Sequence, residues 1–492
     1  MKKVIIIGAG FSGLAAAAVL AQQGFDVTVL EKNSTPGGRA RKFSENGFTF
    51  DMGPSWYWMP DVFEKFFAIF NKQPSDFYQL HRLDPSYRFH FGPGEVVDMP
   101  ATFSEITEIF EKEEPGAGAA LTKFLEEAEY KYKIAMSKFV YKPGLSVLEF
   151  AQPEMLASVF RLHMFRSFDS HLKHHFKSAR LRQMLEFPIL FLGGTGKTTP
   201  ALYSLMNYGD IKLGTWYPVG GMYQLVEGMV KLATSLGVKF VFNSPVEKFE
   251  FKGDQISAVI ANGQRLEAPY ILASADYQYV ETQLLPYGYR SYTEKYWNSR
   301  VLSPSSLIFY VGINKKLEGI EHHTLFFDQD LAKHAGFIYD TPGWPENPSI
   351  YLSCTSRTDE TVAPEGMENL FFLIPVAPGL EDTEELREKY FRIILERFKT
   401  LTGQDISENI VFKRSYAHAD FESDYHAFKG NAYGLANTLL QTAFLKPKMQ
   451  SKKVKYLFYT GKLTVPGPGV PPALISGEMA AKLIIKDESL KG

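Results

Sequence analysis

The clearest pattern of apolar and polar positions lies in the first forty residues. Residues 4–7 form a short apolar run, residues 14–21 are mostly alanine and leucine, and residues 27–30 form a second apolar run. Short apolar runs on either side of a longer helix-forming stretch predict a strand, a helix and a second strand. A glycine-rich turn joins the first strand to the helix, which is typical of a parallel βαβ unit.

The rest of the chain shows helical and strand patterns without an internal repeat. Helical patterns lie at 61–71, 103–140, 153–190, 222–236, 383–402 and 473–485. Strand patterns bounded by turns lie at 77–100, 238–242, 246–274, 305–312, 369–376 and 456–459. The mixture predicts an α/β fold (α+β overall), and 492 residues are enough for two or three domains.

The turn after the first strand carries glycines at dinucleotide-binding spacing. Gly8 permits the tight turn, Gly10 lets the backbone approach a pyrophosphate, and Gly13 lets the helix pack close to the strand. Glu31 lies 18 residues after Gly13, at the end of the second strand, where a carboxylate accepts hydrogen bonds from a ribose diol. The predicted binding residues of this unit are Gly8, Gly10, Phe11, Ser12, Gly13, Glu31 and Lys32.

Composition narrows the class of protein. The 53 Lys and Arg nearly balance the 55 Asp and Glu, so nucleic-acid binding is not predicted. Cys354 is the only cysteine, which excludes an intrachain disulfide and fits a reducing compartment. Its thiol is expected to be a small buried apolar group. Forty Phe and 26 Tyr supply aromatic surface that a large core or an elongated apolar tunnel would use.

A second interpretation of the N-terminus is a secretory signal or membrane anchor. Lys2 and Lys3 precede an uncharged stretch at 4–21, which is near the length of a membrane span. The glycine spacing and the immediate second apolar strand favour the dinucleotide unit instead. We therefore expect no targeting segment and a cytoplasmic protein.

Three further segments carry a family resemblance. Residues 31–40, EKNSTPGGRA, resemble the second motif of the FAD-binding family that contains amine oxidases, protoporphyrinogen oxidases and carotenoid desaturases. The segments GFTFDMGPSWYWMP at 47–60 and LFYTGKLTVPGPGVPP at 457–472 resemble carotenoid desaturases of the bacterial phytoene desaturase type. The resemblance extends along the whole chain and implies FAD as the cofactor.

The resemblance also implies further cofactor-binding residues. It places Arg39 near the phosphates of the flavin nucleotide, a role that suits a planar, permanently charged guanidinium. The additional residues implied in this way are Gly38, Arg39, Gly53, Pro54, Ser55, Val246, Gly461, Gly469, Val470 and Pro471.

The implied architecture has three parts. A Rossmann-like FAD-binding domain is assembled from residues 1–75, 215–290 and 445–492. A substrate-binding β-sheet domain is inserted at 76–130 and 291–444, and residues 131–214 form a helical subdomain that faces a membrane. The resemblance thus implies a cytoplasmic protein that associates peripherally with the membrane.

The implied activity is the FAD-dependent introduction of double bonds into a linear carotene, phytoene first, towards lycopene. Flavin accepts the hydride in such a reaction, and oxygen or a quinone is the expected electron acceptor. The alternatives are a later-step enzyme such as a hydroxycarotenoid 3,4-desaturase, a carotenoid isomerase, and a non-catalytic carotenoid-binding flavoprotein. Many family members have Thr-His-Pro-Gly where this chain has Thr-Val-Pro-Gly at 464–467, so no catalytic residue is assigned.

Two other segments have competing interpretations. Residues 161–182 contain six Lys or Arg, four His and one acid, with Phe165, Phe168, Leu172 and Phe176 at helical spacing. This pattern is typical of a membrane-surface helix and equally of a core-facing helix with a solvated basic side. No carboxylate or cysteine accompanies the histidines at ligand spacing, so no metal site is predicted.

The glycine-rich stretch at 193–198 lacks the upstream glycine of a phosphate-binding loop, which favours a helix connection over ATP binding.

Overall fold

The structure, a computed structural model, describes residues 2–146, 149, 162–164, 166–190 and 194–490. The strands are β1 Lys3–Ile7, β2 Asp26–Leu30, β3 Lys42–Glu45, β4 Phe48–Asp51, β5 Leu80–Arg82, β6 Tyr87–Gly92, β7 Glu95–Met99, β8 Trp216–Pro218, β9 Lys239–Val241, β10 Val246–Lys252, β11 Gln255–Ala261, β12 Gln264–Leu266, β13 Tyr270–Ala273, β14 Ser305–Ile313, β15 His323–Phe326, β16 Ile350–Ser353, β17 Glu368–Val376, β18 Ile410–Tyr416 and β19 Leu457–Tyr459. The principal helices are α1 Phe11–Gln22, α2 Pro60–Ala68, α3 Phe103–Glu113, α4 Ala117–Ile134, α5 Phe168–His175, α6 Ala179–Leu190, α7 Tyr223–Ser235, α8 Glu294–Asn298, α9 Leu331–Tyr339, α10 Glu384–Thr402, α11 His418–Tyr425 and α12 Val470–Ser489.

A parallel sheet contains the N-terminal βαβ unit. Its strand order is β19-β13-β1-β2-β9, so the first and last parts of the chain share one sheet. Both faces of β1 are covered, because Val4 and Ile6 pack in one core and Ile5 and Ile7 pack in another. Continuous apolar runs are typical of such doubly covered parallel strands. Helix α1 packs closely on α12, where a Cβ on Gly477 would lie 2.1 Å from a backbone oxygen of α1.

A larger mixed sheet stands beside this unit. Its strand order is β18-β14-β17-β16-β15-β6-β7, and every pairing is antiparallel except that of β15 with β6. Side chains alternate between its faces as the two-residue period requires. Ile308 and Leu373 belong to the core shared with α1 and α12, whereas Leu307 and Phe372 pack with α10 on the other face.

The segment at 47–60 meets the residues that precede and begin α7. The Asp51 carboxylate, at the end of β4, accepts hydrogen bonds from the Met222 and Tyr223 backbone N–H groups at 2.7 and 3.0 Å. It therefore caps the start of α7 from a distant strand. A Cβ on Gly221 would lie 2.7 Å from the same carboxylate, and the Trp58 indole donates to Thr215 Oγ1 at 2.8 Å.

The basic segment at 161–182 faces the core with its aromatic stripe. Phe168, Leu172 and Phe176 are each no more than 1% exposed, and Phe165 lies outside the described residues. The membrane-surface interpretation of this stripe is therefore wrong, because its apolar side chains are already buried by the protein. Within the described chain, no helix combines the length and apolar character needed to cross a bilayer.

Candidate functional site

A cavity of about 290 Å³ lies where the parallel strands end. Ile7 and Gly8 line it from the end of β1, Leu30 and Glu31 from the end of β2, and Ser274 from the residue after β13. Ligands of open parallel sheets bind outside the carboxyl ends of the strands. The position of the cavity therefore agrees with a dinucleotide site.

Most of the predicted cofactor-binding residues come together around this cavity. Gly13, Ser55 and Pro471 do not line it, although each lies beside a residue that does. The predicted residues that line it are Gly8, Gly10, Phe11, Ser12, Glu31, Lys32, Gly38, Arg39, Gly53, Pro54, Val246, Gly461, Gly469 and Val470.

The three glycines of the first turn serve different physical needs. Gly8 has φ of +103°, a conformation that side-chain-bearing residues rarely adopt. A Cβ on Gly13 would lie 2.1 Å from the Gly8 carbonyl oxygen, so only glycine allows the close approach of strand and helix. A Cβ on Gly10 would meet no described atom within 4 Å. The space in front of Gly10 is therefore left open to a ligand.

Glu31 holds the turn as well as facing the cavity. Its side chain is 5% exposed, and its two carboxylate oxygens accept hydrogen bonds from the Ala9 and Asn33 backbone N–H groups at 2.8 and 2.9 Å. The carboxylate therefore joins the end of β2 to the glycine turn. Each carboxylate oxygen can accept a further hydrogen bond, and Glu31 lines the cavity, as binding of a ribose hydroxyl would require.

Two basic side chains, Arg39 and Lys462, and the carboxylate of Asp276 line one part of the cavity. Arg39 Nη2 donates to the Asn431 carbonyl oxygen at 3.3 Å, and Lys462 Nζ donates to the same oxygen at 3.2 Å. Lys462 Nζ also lies 3.6 Å from the Asp276 carboxylate. Burial and then the charge of Arg39 hold the pKa of Lys462 well below its usual range. The sequence analysis did not predict Asp276 or Lys462, because no motif marks either residue.

These groups fit a bound dinucleotide. The Arg39 side chain is buried, and its Nε has no hydrogen-bond partner among the described residues. The guanidinium carbon of Arg39 lies 4.9 Å from the centre of the Tyr425 ring. Burial lowers the pKa of Arg39, so an anion beside it would stabilise its charge. A pyrophosphate supplies such an anion and the acceptors that a guanidinium needs. Arg39 and Lys462 would hold the phosphates, and Glu31 would hold a ribose.

Among the described residues, the part of the cavity next to the seven-stranded sheet carries no charged side chain. Ser306, Ile308 and Leu373 line it from the seven-stranded sheet, and Pro54 and Tyr433 line it from two loops. None of the sheet residues that line it is ionisable. Uncharged side chains therefore line the cavity next to this sheet.

The histidines of the basic segment meet a carboxylate from another helix. Glu127 of α4 lies 3.6 Å from His171 Nε2 and 4.0 Å from His163 Nδ1, so a ligand set absent from the local sequence does form in three dimensions. The assumption that the histidines have no carboxylate near them was therefore wrong. The buried Lys131 amine lies 3.3 Å from His171 Nε2 and supplies a positive charge to the same cluster. This cluster therefore combines two histidines, a carboxylate and a buried amine.

The glycine-rich stretch at 193–198 does not present its backbone to a phosphate. The Gly196 N–H donates to the Glu186 carboxylate at 3.0 Å, and the Thr198 and Thr199 N–H groups donate to the Thr195 carbonyl oxygen. These N–H groups already have protein acceptors. The helix connection expected from the sequence is the better interpretation, and Gly193 lies outside the described residues.

The family of the chain follows from comparison with known proteins. Residues 11–485 match the family described as flavin containing amine oxidoreductase, and the chain belongs to this family. The fold is shared with an oxidoreductase from Methanosarcina mazei, with a TM-score of 0.63, 15% identity and coverage of 98% of this chain and 100% of that one. The chain is therefore an FAD-dependent oxidoreductase, and its relatives place its chemistry on CH–CH groups.

Within that class, the relatives are carotenoid desaturases. A carotenoid 3,4-desaturase of Haloarcula japonica is 41% identical over 485 residues, which cover 98% of each chain. A zeta-carotene-forming phytoene desaturase of Myxococcus xanthus is 31% identical over 491 residues, which cover 98% of this chain and 94% of the relative. The chain is thus a member of the carotenoid desaturase group.

Proposed function

We propose that this protein desaturates a linear carotenoid that lies along the inner face of the seven-stranded sheet. The observation that carries the proposal is a row of five side chains on adjacent strands. Ile308 pairs with Leu373, Leu373 with Tyr351, Tyr351 with Leu325, and Leu325 with Phe89. Ile308 and Leu373 line the cavity, so the row begins at the flavin site.

The length and chemistry of this row suit a polyene. Four strand spacings correspond to roughly 19 Å. A carotene offers no polar handle, so its binding energy must come from burial of apolar surface, about 25 cal/mol per Å². An amine or a porphyrin would instead need a charged partner, and the sheet residues that line the cavity, Ser306, Ile308 and Leu373, carry no charge.

When FAD is bound, the flavin accepts the hydride that desaturation removes. The chain's own residues hold the dinucleotide through Arg39, Lys462 and Glu31 and keep the substrate face dry. The residues of the cavity and of the apolar row that begins at it therefore position the two partners of the reaction.

A later-step desaturation of a hydroxylated carotenoid is the first candidate within this class. The 41% identity with a carotenoid 3,4-desaturase favours it over the phytoene desaturation expected from the sequence. The structure adds one polar group to the apolar row. The Tyr351 hydroxyl donates to Ser55 Oγ at 2.8 Å and lies 2.7 Å from His323 Nδ1, one strand away from the cavity-lining Leu373. A substrate hydroxyl could bind at this point.

Phytoene desaturation is the second candidate, and the 31% identity with a phytoene desaturase supports it.

One experiment tests these candidates together. Purified protein loaded with FAD is mixed anaerobically with liposomes that carry either phytoene or a hydroxylated carotenoid. Flavin bleaching with new polyene absorption bands identifies the desaturated substrate. Conversion without flavin reduction would instead support an isomerase, and binding without conversion would support a carrier.

The variant Tyr351→Phe separates the two desaturase candidates. Loss of one neutral hydrogen bond is expected to lower kcat/KM for the hydroxylated substrate by about tenfold. Phytoene turnover should not change. Tyr390→Phe is the matched control, because Tyr390 is equally buried on the opposite face of the sheet. An equal loss on both substrates would contradict the hydroxyl-binding role.

We also propose that the protein takes its substrate from a membrane surface through two adjoining loops. Leu440 is 79% exposed, and Leu145 and Leu445 are 40% and 42% exposed. Lys448 Nζ ties the loops together by donating to the Gly144 and Leu145 carbonyl oxygens at 2.6 and 3.2 Å. Exposed apolar side chains on a fixed surface favour contact with lipid.

Liposome flotation tests this surface. Leu440→Asp is expected to reduce the membrane-bound fraction severalfold, because a charge is unfavourable in the lipid interface. Leu490→Asp is the matched control, since Leu490 is 78% exposed at the end of α12. Equal flotation of the two variants would locate the membrane contact elsewhere. Oxygen and a quinone remain the proposed electron acceptors.

A further inference from the structure

Lys446 is a buried amine without a partner. The residue is 3% exposed, and its Nζ makes no hydrogen bond within the part of the chain that the structure describes. Lys131, the other lysine of the described residues with this degree of burial, donates to the Ala201 carbonyl oxygen and to Ser204 Oγ at 3.1 and 3.0 Å. An unpaired ammonium in a protein interior is strongly unfavourable, so the position of Lys446 calls for an explanation.

The amine lies against the turn that closes the flavin site. A Cβ on Gly467 would be 3.2 Å from Lys446 Nζ and 2.9 Å from Asn437 Oδ1. Asn437 is 9% exposed, and its Oδ1 also has no described hydrogen-bond partner. Gly469 and Val470, two and three residues farther along the same turn, line the cavity. A buried amine and a buried amide oxygen, neither with a described hydrogen-bond partner, therefore both lie against the turn whose later residues line the cavity.

No charged side chain of the described residues accounts for this amine, whose pKa is shifted by burial alone. The turn from residue 465 to residue 469 and the loop from residue 434 to residue 445 contain no ionisable side chain. Tyr203 reaches this loop at Thr442, but burial raises the pKa of Tyr203 to about 12, so its hydroxyl stays neutral. Lys448, two residues away, is engaged with the backbone carbonyls of residues 144, 145 and 444.

We propose that Lys446 is the internal proton acceptor of the flavin site, neutral while the flavin is oxidised and protonated when the flavin is reduced. Desaturation breaks two C–H bonds on neighbouring carbons and forms one C=C bond. The hydride and its electron pair go to FAD, which is the oxidant. The neighbouring carbon releases one proton, and the Lys446 amine takes up one proton. The resulting ammonium is a buried positive charge that stabilises the negative charge of the reduced ring.

The surroundings of Lys446 suit this exchange. Burial alone lowers the pKa of Lys446 to about 7, so the amine is largely neutral above that pH while no anion is near. A negative charge that arrives beside it raises its proton affinity. Because Gly467 has no side chain, the Lys446 amine lies close to the backbone of the turn.

The test measures the midpoint potential of bound FAD against pH and needs no carotenoid. The inference rests on the proposed desaturation, but the potential is obtained by dye equilibration with a chemical reductant. Between pH 7.5 and 9, the natural protein should take up two protons with two electrons. Lys446→Met should take up one proton with two electrons, because only the flavin ring is then protonated. The midpoint potential of FAD bound to this variant should be lower than that of FAD bound to the natural protein.

Two variants keep this test decisive. Lys446→Arg retains a permanent charge, so it should take up one proton with two electrons but have a higher potential than Lys446→Met. Lys446→Gln provides a second neutral variant, and the exposed Lys452→Met is the control that should behave as the natural protein does. A one-proton slope in the natural protein, or equal potentials in the Arg and Met variants, would overturn the proposal. Failure of every variant and of the natural protein to bind FAD would overturn the cofactor assignment instead.

Discussion

Alanine at Gly10 and alanine at Gly13 should have opposite consequences, although the two glycines belong to one motif. A Cβ on Gly13 would lie 2.1 Å from the Gly8 carbonyl oxygen and 3.1 Å from Ser274 Oγ. The first distance is roughly 1 Å or more shorter than a normal contact, so α1 must move away from β1. Overpacking of this kind costs about 1–3 kcal/mol, and the unfolding free energy of the apoprotein should fall by that amount.

Gly10 offers the matched comparison. A Cβ there meets no described atom within 4 Å, and its φ of −76° and ψ of 176° are open to any residue. Gly10→Ala should leave apoprotein stability unchanged, or raise it by up to about 1 kcal/mol through the reduced freedom of the unfolded chain. The added methyl group should instead occupy the space of the pyrophosphate. We expect FAD binding at least about tenfold weaker, equivalent to about 1.4 kcal/mol.

Thermal unfolding of the apoproteins and fluorescence titration with FAD measure the two effects separately. Gly13→Ala should lower the apparent Tm by at least about 2 °C. Gly10→Ala should keep the natural Tm and lose FAD affinity. If Gly10→Ala destabilised the apoprotein as much as Gly13→Ala, or bound FAD with unchanged affinity, the open space at Gly10 would not be the phosphate site.

Three further outcomes follow from buried polar groups. Asp51→Ala removes the carboxylate that caps α7 and should lower the unfolding free energy by about 1–2 kcal/mol in urea, with Asp51→Asn losing less; an unchanged midpoint would contradict the capping role. Burial raises the pKa of Cys354, so iodoacetamide should label this thiol in urea but not in the native protein, as mass spectrometry would show. Burial lowers the pKa of Lys131 to about 8, so the unfolded chain binds more protons than the folded chain between pH 8 and 10.5. The contribution of this group to the free energy of unfolding should therefore rise over that range by up to about 3 kcal/mol. Lys131→Met should flatten that rise, and an unchanged pH dependence of unfolding would refute the assignment.

Sequence patterns predicted the parts of the site that local physics controls. The βαβ unit follows from apolar runs and glycine spacing, because the tight turn and the close helix packing depend on neighbouring residues. Gly8, Glu31 and Arg39 lie where the motifs place them, around one cavity. The division of the chain into three domains stays a prediction.

The sequence by itself determined the dinucleotide-binding turn, since that turn depends on residues close together in the chain, and the resemblance of three motif segments implied the family and the cofactor. Only the tertiary structure decided which distant residues meet. Asp276 and Lys462 meet beside Arg39 in the cavity, Glu127 joins the histidines, and Lys446 lies against Gly467. Long-range packing sets these contacts, and no local pattern encodes a neighbour that is hundreds of residues away. For the same reason, an aromatic stripe that could equally have faced a membrane is buried in the core.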